Sequence, residues 1–214
     1  MANNMNHNQK NAIKYYSQSG EDVILEKLFS EIDTTNCFGV EFGASDGYWL
    51  SNLRMFINSG WQGLQMDGKD YPETKQEFIT AENINDLFKK YNVPREFDLL
   101  SIDIDGNDYW VWKALNYTAR VVVIEYNSNF PHDLSLALEY NPEHRFDQTY
   151  AYSASFKAMC TLAKQKGYNL YQEVAYTNLI FTRNDIHIDP IYKGVNLPCI
   201  KHRQKLKGKR FIEV

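Results

Sequence analysis

Acids recur where the apolar runs of this 214-residue chain stop. Glu41 stands in FGVEFGASDG, one residue before Phe42 and Gly43; Asp67 ends LQMDG; Asp103 and Asp105 end FDLLSIDIDG; Glu125 ends VVVIE. In an open α/β sheet, ligands bind outside the carboxyl ends of the strands, so carboxylates at those points face the ligand side. The first acid is followed by Gly43, Ala44, Ser45, Asp46 and Gly47, small or polar residues that carry the chain into a tight bend. Without a Cβ, the glycines tolerate φ > 0 and let the backbone approach a bound molecule closely. Their spacing is Gly-x-x-x-Gly and not Gly-x-Gly-x-x-Gly, which argues against a dinucleotide pyrophosphate site. Acids on both sides of the bend suit a ligand with a cationic or zwitterionic end better than a phosphate. An acid-x-Gly bend that merely closes a strand is the plainer alternative.

Regular elements must hold these acids in place. Apolar Val23, Ile24, Leu25, Leu28 and Phe29 predict a helix over 19–29, with Glu21 and Asp22 in its first turn. Residues 38–42 read as a first strand, 51–58 as a helix and 63–66 as a second strand. The stretch 73–79 reads as a short helix or an extended piece, and 84–91 as a helix. Nearly continuous apolar runs at 97–104 and 120–125 predict strands buried on both faces, with a helix at 110–115 between them. A helix at 153–166 closes at Gly167, and 168–174 with 178–183 read as paired strands. Strands alternating with helices, then a hairpin, predict a single three-layer α/β domain, with a core at about 16–185 and a basic extension over 186–214.

Composition excludes some partners. A formal net charge of −4 gives no general pull toward nucleic acid or anionic membrane. No apolar stretch approaches the ~20 residues that span a bilayer, and the polar start MANNMNHNQKNAIK lacks the apolar core of a secretory signal. Cys37, Cys160 and Cys199 are far apart and match no metal spacing, so they read as reduced thiols. The expectation is a soluble, cytoplasmic protein. The polar start and basic end also fit a piece of a larger multidomain chain.

The glycine bend resembles the first motif of class I S-adenosylmethionine-dependent methyltransferases. With YSQSGED near the N-terminus, the paired acids of DIDG, and VVVIEYN, the set is similar to the FkbM-like group and to macrocin-type sugar O-methyltransferases. The likeness spans roughly residues 16–183. It implies a Rossmann-like methyltransferase domain with a mostly parallel seven-stranded sheet, S-adenosylmethionine as cofactor, and a sugar or glycan acceptor.

Residue by residue, the resemblance implies that Gln18, Glu41, Gly43, Ala44, Asp46, Gly47, Ser51 and Asn52 surround the cofactor. Asp67, with Gly68, would take the ribose hydroxyls, and Glu82 or Asn83 would meet the adenine amine. Asp103 would lie beside the cofactor and bind a divalent metal, Mg²⁺ or Mn²⁺, with Glu125; Asp105 would remove the acceptor's hydroxyl proton. Tyr126 stands where those enzymes often carry a second acid, leaving Asn127 as a carbonyl donor to the metal. Local roles compete with each of these: Ser51 and Asn83 also suit helix caps, Asp67 a strand-end turn, and the acids turns and caps.

His132, in the loop just past the fifth strand, is a second candidate base. The long segment before residue 153, with Tyr140, His144, Tyr150 and Tyr152, lacks periodicity and is expected to cover the ligand edge as an acceptor lid. Trp110 and Trp112 lie two apart on one helix and cannot share a face, so one is expected to pack on the sheet. The absence of an Asn/Asp-Pro-Pro-aromatic loop argues against a nucleic-acid methyltransferase. An O-methyltransferase acting on a sugar or glycan hydroxyl is the leading expectation. A catalytically inert cofactor-binding or scaffold domain and an enzyme with a non-sugar acceptor are the alternatives. The basic cluster Lys201, His202, Arg203, Lys205, Lys207, Lys209 and Arg210 is read as a solvated tail or a patch that steers an anionic acceptor, such as a nucleotide-linked or phosphorylated glycan.

Overall fold

The computed structural model describes residues 15–192 and 210–214. The polar start, and the basic cluster apart from Arg210, lie outside the described residues. In chain order the elements are α1 (Glu21–Ile32), β1 (Phe38–Phe42), α2 (Arg54–Asn58), β2 (Gln62–Asp67), β3 (Lys75–Gln76), α3 (Ile84–Lys90) and β4 (Glu96–Ile102). There follow α4 (Asp108–Ala114), β5 (Thr118–Glu125), β6 (Leu136–Leu138), α5 (Phe156–Gln165), β7 (Tyr168–Val174), β8 (Asn178–Arg183) and β9 (Phe211–Glu213).

Seven strands form one sheet in the order β3-β2-β1-β4-β5-β8-β7. The first five are parallel; β8 runs antiparallel to both β5 and β7. Neighbouring residues on the central strands feed opposite faces. Leu99, Val121 and Val123 meet Leu25, Leu28 and Phe29 of α1 and Phe56 of α2. Leu100, Val122 and Ile124 face the other way, onto Phe88 of α3, Trp112 of α4 and Leu162 of α5. The result is the three-layer mixed α/β fold that the sequence predicts. Trp112 packs against Phe181 on the sheet, while Trp110 turns outward and donates from its indole N–H to the Leu138 carbonyl.

Several details differ from the pattern. Helix α2 begins at Arg54 and not near residue 51, because Ser51 is drawn into a buried network. The stretch 73–79 contributes only the two-residue edge strand β3. The segment between β5 and α5 is not featureless: its β6 pairs with β9 from the chain's C-terminal end, with Leu136 opposite Glu213. Cys37 and Cys160 are free thiols. No helix among the described residues is long and apolar enough to cross a membrane.

From β1 the chain winds through β2 to β3 on one side, then crosses to β4 and β5 on the other. The direction of winding therefore reverses between β1 and β4, and a crevice opens there beyond the carboxyl ends of the strands.

Candidate functional site

A cleft of about 840 Å³ occupies that crevice. Its floor begins at the bend after β1. Gly43 has φ +66, and a Cβ on it would stand 1.6 Å from the Asp103 carbonyl oxygen, so the ends of β1 and β4 meet at a place only glycine fits. Glu41 is buried beneath the bend. One oxygen accepts from the Asn52 N–H (2.6 Å); the other accepts from Ser51 Oγ (2.6 Å) and Gln65 Nε2 (2.8 Å). Burial raises its pKa, and these hydrogen bonds act in the opposite direction. The acid of the bend thus anchors the loop from inside, with one edge on the cleft.

At the end of β2, Asp67 accepts from the Ser45 N–H (2.9 Å) through one oxygen and the Lys69 N–H (2.8 Å) through the other. Each oxygen keeps a lone pair for a ligand donor. Across the crevice stand Asp103, Asp105 and Glu125, and one carboxylate oxygen from each lies within 4.8 Å of the other two. Burial raises Asp103 and Glu125 well above the usual carboxylate range, and their neighbouring acids push them further. Burial also raises Asp105, opposed by the adjacent His144. Like charges this close cannot all ionise alone, so the trio holds a proton or a cation. An all-oxygen donor set of this kind suits a hard divalent ion.

The cleft brings together Gln18, Glu41, Gly43, Asn52, Asp67, Gly68, Asp103, Asp105 and Glu125 from the sequence reading. The other candidates have local work elsewhere. Ala44 donates its N–H to the Met66 carbonyl, and the Gly47 N–H returns to the Ala44 carbonyl. Exposed Asp46 accepts from the N–H groups of Trp49 and Tyr48, which hold its carboxyl below the usual range. Ser51 Oγ bonds Glu41 and caps the Arg54 N–H (2.9 Å). Glu82 receives the Tyr140 hydroxyl, and Asn83 is spent on the Phe78 carbonyl and the Thr80 N–H. Phe78 and Ile79 line the cleft in their place.

Two candidates stand apart from the acidic trio. Asn127 is fully buried; its Nδ2 donates to the carbonyls of Tyr150 and Tyr152, and its oxygen accepts from Asn129. It braces the segment after β5 and does not line the cleft. His132 stacks face to face on Phe156, 4.1 Å between centroids, also outside the cleft lining.

The histidine that does reach the cleft is His144, with Arg145, Phe146 and Gln148 from the same insert and Asn107, the residue just before α4. The sequence marks the insert as a lid and names His144 within it, but does not single out Arg145, Phe146, Gln148 or Asn107. Nothing in local spacing distinguishes His144 from His132; only the path of the insert does. Around the mouth, Trp49, Phe78 and Phe146 keep large aromatic surface exposed. Among the described residues, four buried side-chain oxygens lack a hydrogen-bond partner. Three of them belong to cleft residues: Asn52 Oδ1, Asn107 Oδ1 and Glu125 Oε2.

No protein-family model and no curated protein matches the chain. Solved structures with similar folds include a S-adenosylmethionine-dependent methyltransferase from Clostridium acetobutylicum, at 13% identity over 80% of this chain and 93% of that one, with a TM-score of 0.44. The CMeT domain of the citrinin polyketide synthase is similar at 11% identity, over 78% and 52% of the two chains, with a TM-score of 0.45. An O-methyltransferase family protein from Burkholderia thailandensis is similar at 8% identity, over 76% and 56%, with a TM-score of 0.39.

Proposed function

We propose that this chain is an S-adenosylmethionine-dependent O-methyltransferase that methylates a hydroxyl of a sugar or glycan. The observation that carries the reading is the set of unpaired oxygens, Asn52 Oδ1, Asn107 Oδ1 and Glu125 Oε2, on residues of a cleft at the switch point of the sheet. Buried acceptors without donors call for a ligand rich in N–H, O–H or positive charge. S-adenosylmethionine offers an ammonium, two ribose hydroxyls and a sulfonium. Asn52, beside the bend, suits the ammonium end, and Asp67 the ribose hydroxyls. Phe78 and Ile79 offer the adenine an apolar wall where Glu82 and Asn83 do not reach the cleft.

Asp103 and Glu125 would hold Mg²⁺ or Mn²⁺, and the convergence of their oxygens with that of Asp105 fits such an ion. When bound, the ion lowers the pKa of a coordinated hydroxyl. The acceptor oxygen attacks the methyl carbon as the carbon–sulfur bond breaks, S-adenosylhomocysteine departs, and Asp105 takes the hydroxyl proton. Exposed Trp49 and Phe146 beside polar Gln148 suit the mixed faces of a sugar ring. Lys69 and Arg145 on the cleft wall suit the charge of a nucleotide-linked acceptor.

Incubation with methyl-labelled cofactor and a panel of free and nucleotide-linked glycosides, with and without Mg²⁺ or Mn²⁺, tests this reading. Label is expected on a sugar oxygen. A protein that binds the cofactor yet labels no glycoside would overturn the acceptor assignment and leave the cofactor assignment standing.

A further inference from the structure

The bend between β4 and α4 carries the acids, and the peptide groups at its apex are pinned from two sides. Asp105 sits there with φ 58, in the left-handed region that non-glycine residues rarely adopt. From below, the buried carboxylate of Asp108 accepts from the N–H groups of Ile104 (2.8 Å) and Gly106 (2.9 Å). From above comes His144 of the insert. Its Nε2 lies 3.0 Å from the Asp105 carbonyl oxygen, and a carbonyl only accepts, so Nε2 carries the proton. The ring fills the space beside Gly106, where a Cβ would stand 2.2 Å from His144 Cδ2.

We propose that His144 is a positioning residue: it is the latch through which the seated insert completes the clamp on the bend and aims Asp105 at the acceptor. The inference rests on the methyltransferase reading only in taking Asp105 as the base. The insert has other anchors. Asn107 Nδ2 donates to the Asn141 carbonyl (2.8 Å), the Tyr140 hydroxyl accepts from the Ala81 N–H (3.1 Å), and the Arg145 guanidinium lies 3.4 Å over the Phe78 ring. These seat the strap across the cleft, whereas His144 alone among them grips the Asp105 peptide. Base geometry is thereby coupled to the insert that covers the acceptor. Gly106 is glycine because the latch needs its space.

Four variants test this in the whole protein: His144→Ala, His144→Gln, Gly106→Ala and the Gly106→Ala/His144→Ala double. Hydrogen exchange at the amides of Ile104 and Gly106 reads the clamp without any acceptor. His144→Ala and Gly106→Ala should each speed exchange about tenfold, as expected when local opening becomes easier. The double variant should exchange no faster than either single, because the clash at Gly106 disappears with the ring. His144→Gln should keep slow exchange, since its amide can donate to the Asp105 carbonyl in place of Nε2. With a glycoside substrate, the Ala variants should lose about tenfold in kcat with KM within about threefold, and Gln should restore kcat.

Unchanged exchange in His144→Ala, additive effects in the double variant, or a Gln variant as impaired as Ala would each overturn the latch. A wild-type protein that fails to bind S-adenosylhomocysteine would sink the methyltransferase reading instead, and the exchange results would still decide the latch.

Discussion

In the presence of chelator, this protein should lose stability as the pH rises from 5 to 8. Asp108 is raised from 3.8 to about 6, chiefly by burial, against the two hydrogen bonds it accepts. A folded-state pKa above the unfolded one means the native state binds the extra proton. Its contribution is complete below about 3.8 and is lost as the pH climbs through about 6. Between pH 5 and 8 the native carboxyl releases about one pH unit's worth of proton binding that the unfolded chain has already given up, or ~1.4 kcal/mol. Asp103 and Glu125 are raised in the same direction, so they add to the loss. The lowered carboxyls, Asp46, Glu77, Glu82 and Asp185, act in the opposite direction, but most of their titration lies below this window. For a chain of this length, ~1.4 kcal/mol corresponds to roughly 3–6 °C in Tm. Thermal unfolding followed by circular dichroism across this range measures it. Asp108→Asn should flatten the slope, and Mg²⁺ or Mn²⁺ should raise Tm at pH 8 more than at pH 5. A wild-type Tm that is flat or rises from pH 5 to 8 in chelator would refute the buried-acid reasoning.

Other expectations follow from single contacts. Gly43→Ala sets a Cβ 1.6 Å from the Asp103 carbonyl at φ +66, so urea unfolding should show a loss of at least ~2 kcal/mol. Asp67→Ala removes the acceptor of two backbone N–H groups and of the proposed ribose contact, and calorimetry should show S-adenosylhomocysteine binding about 10- to 100-fold more weakly. Chelation should abolish turnover while sparing cofactor binding, and added Mn²⁺ should restore it. His132→Ala should retain turnover within about threefold, because its ring stacks on Phe156 outside the cleft.

Much of the fold was legible because its strands are buried. A strand covered on both faces must be apolar throughout, so β4 and β5 stand out as runs, and the acids that end them mark the ligand edge. The bounds of β1, β7 and β8 match the pattern residue for residue. Less visible was whatever depends on distant partners. The pairing of β6 with β9 joins a three-residue piece of the insert to the far end of the chain, and neither piece is long enough to announce itself. Ser51 and Asn83 have local partners of the kind their capping chemistry already suggests, whereas Asn127 is spent on the carbonyls of Tyr150 and Tyr152, more than twenty residues on, which side-chain type alone cannot reveal. His132 and His144 differ in role only because the insert folds back over Gly106.

Calorimetric titration of S-adenosylhomocysteine into the wild-type protein tests the central claim most directly. The account predicts measurable heat with a Kd in the usual metabolite range of ~1 μM to 1 mM, a rise in Tm at saturation, and weaker binding in Asp67→Ala and Asn52→Ala. The absence of heat and of any Tm shift at ligand concentrations of ~1 mM would contradict it.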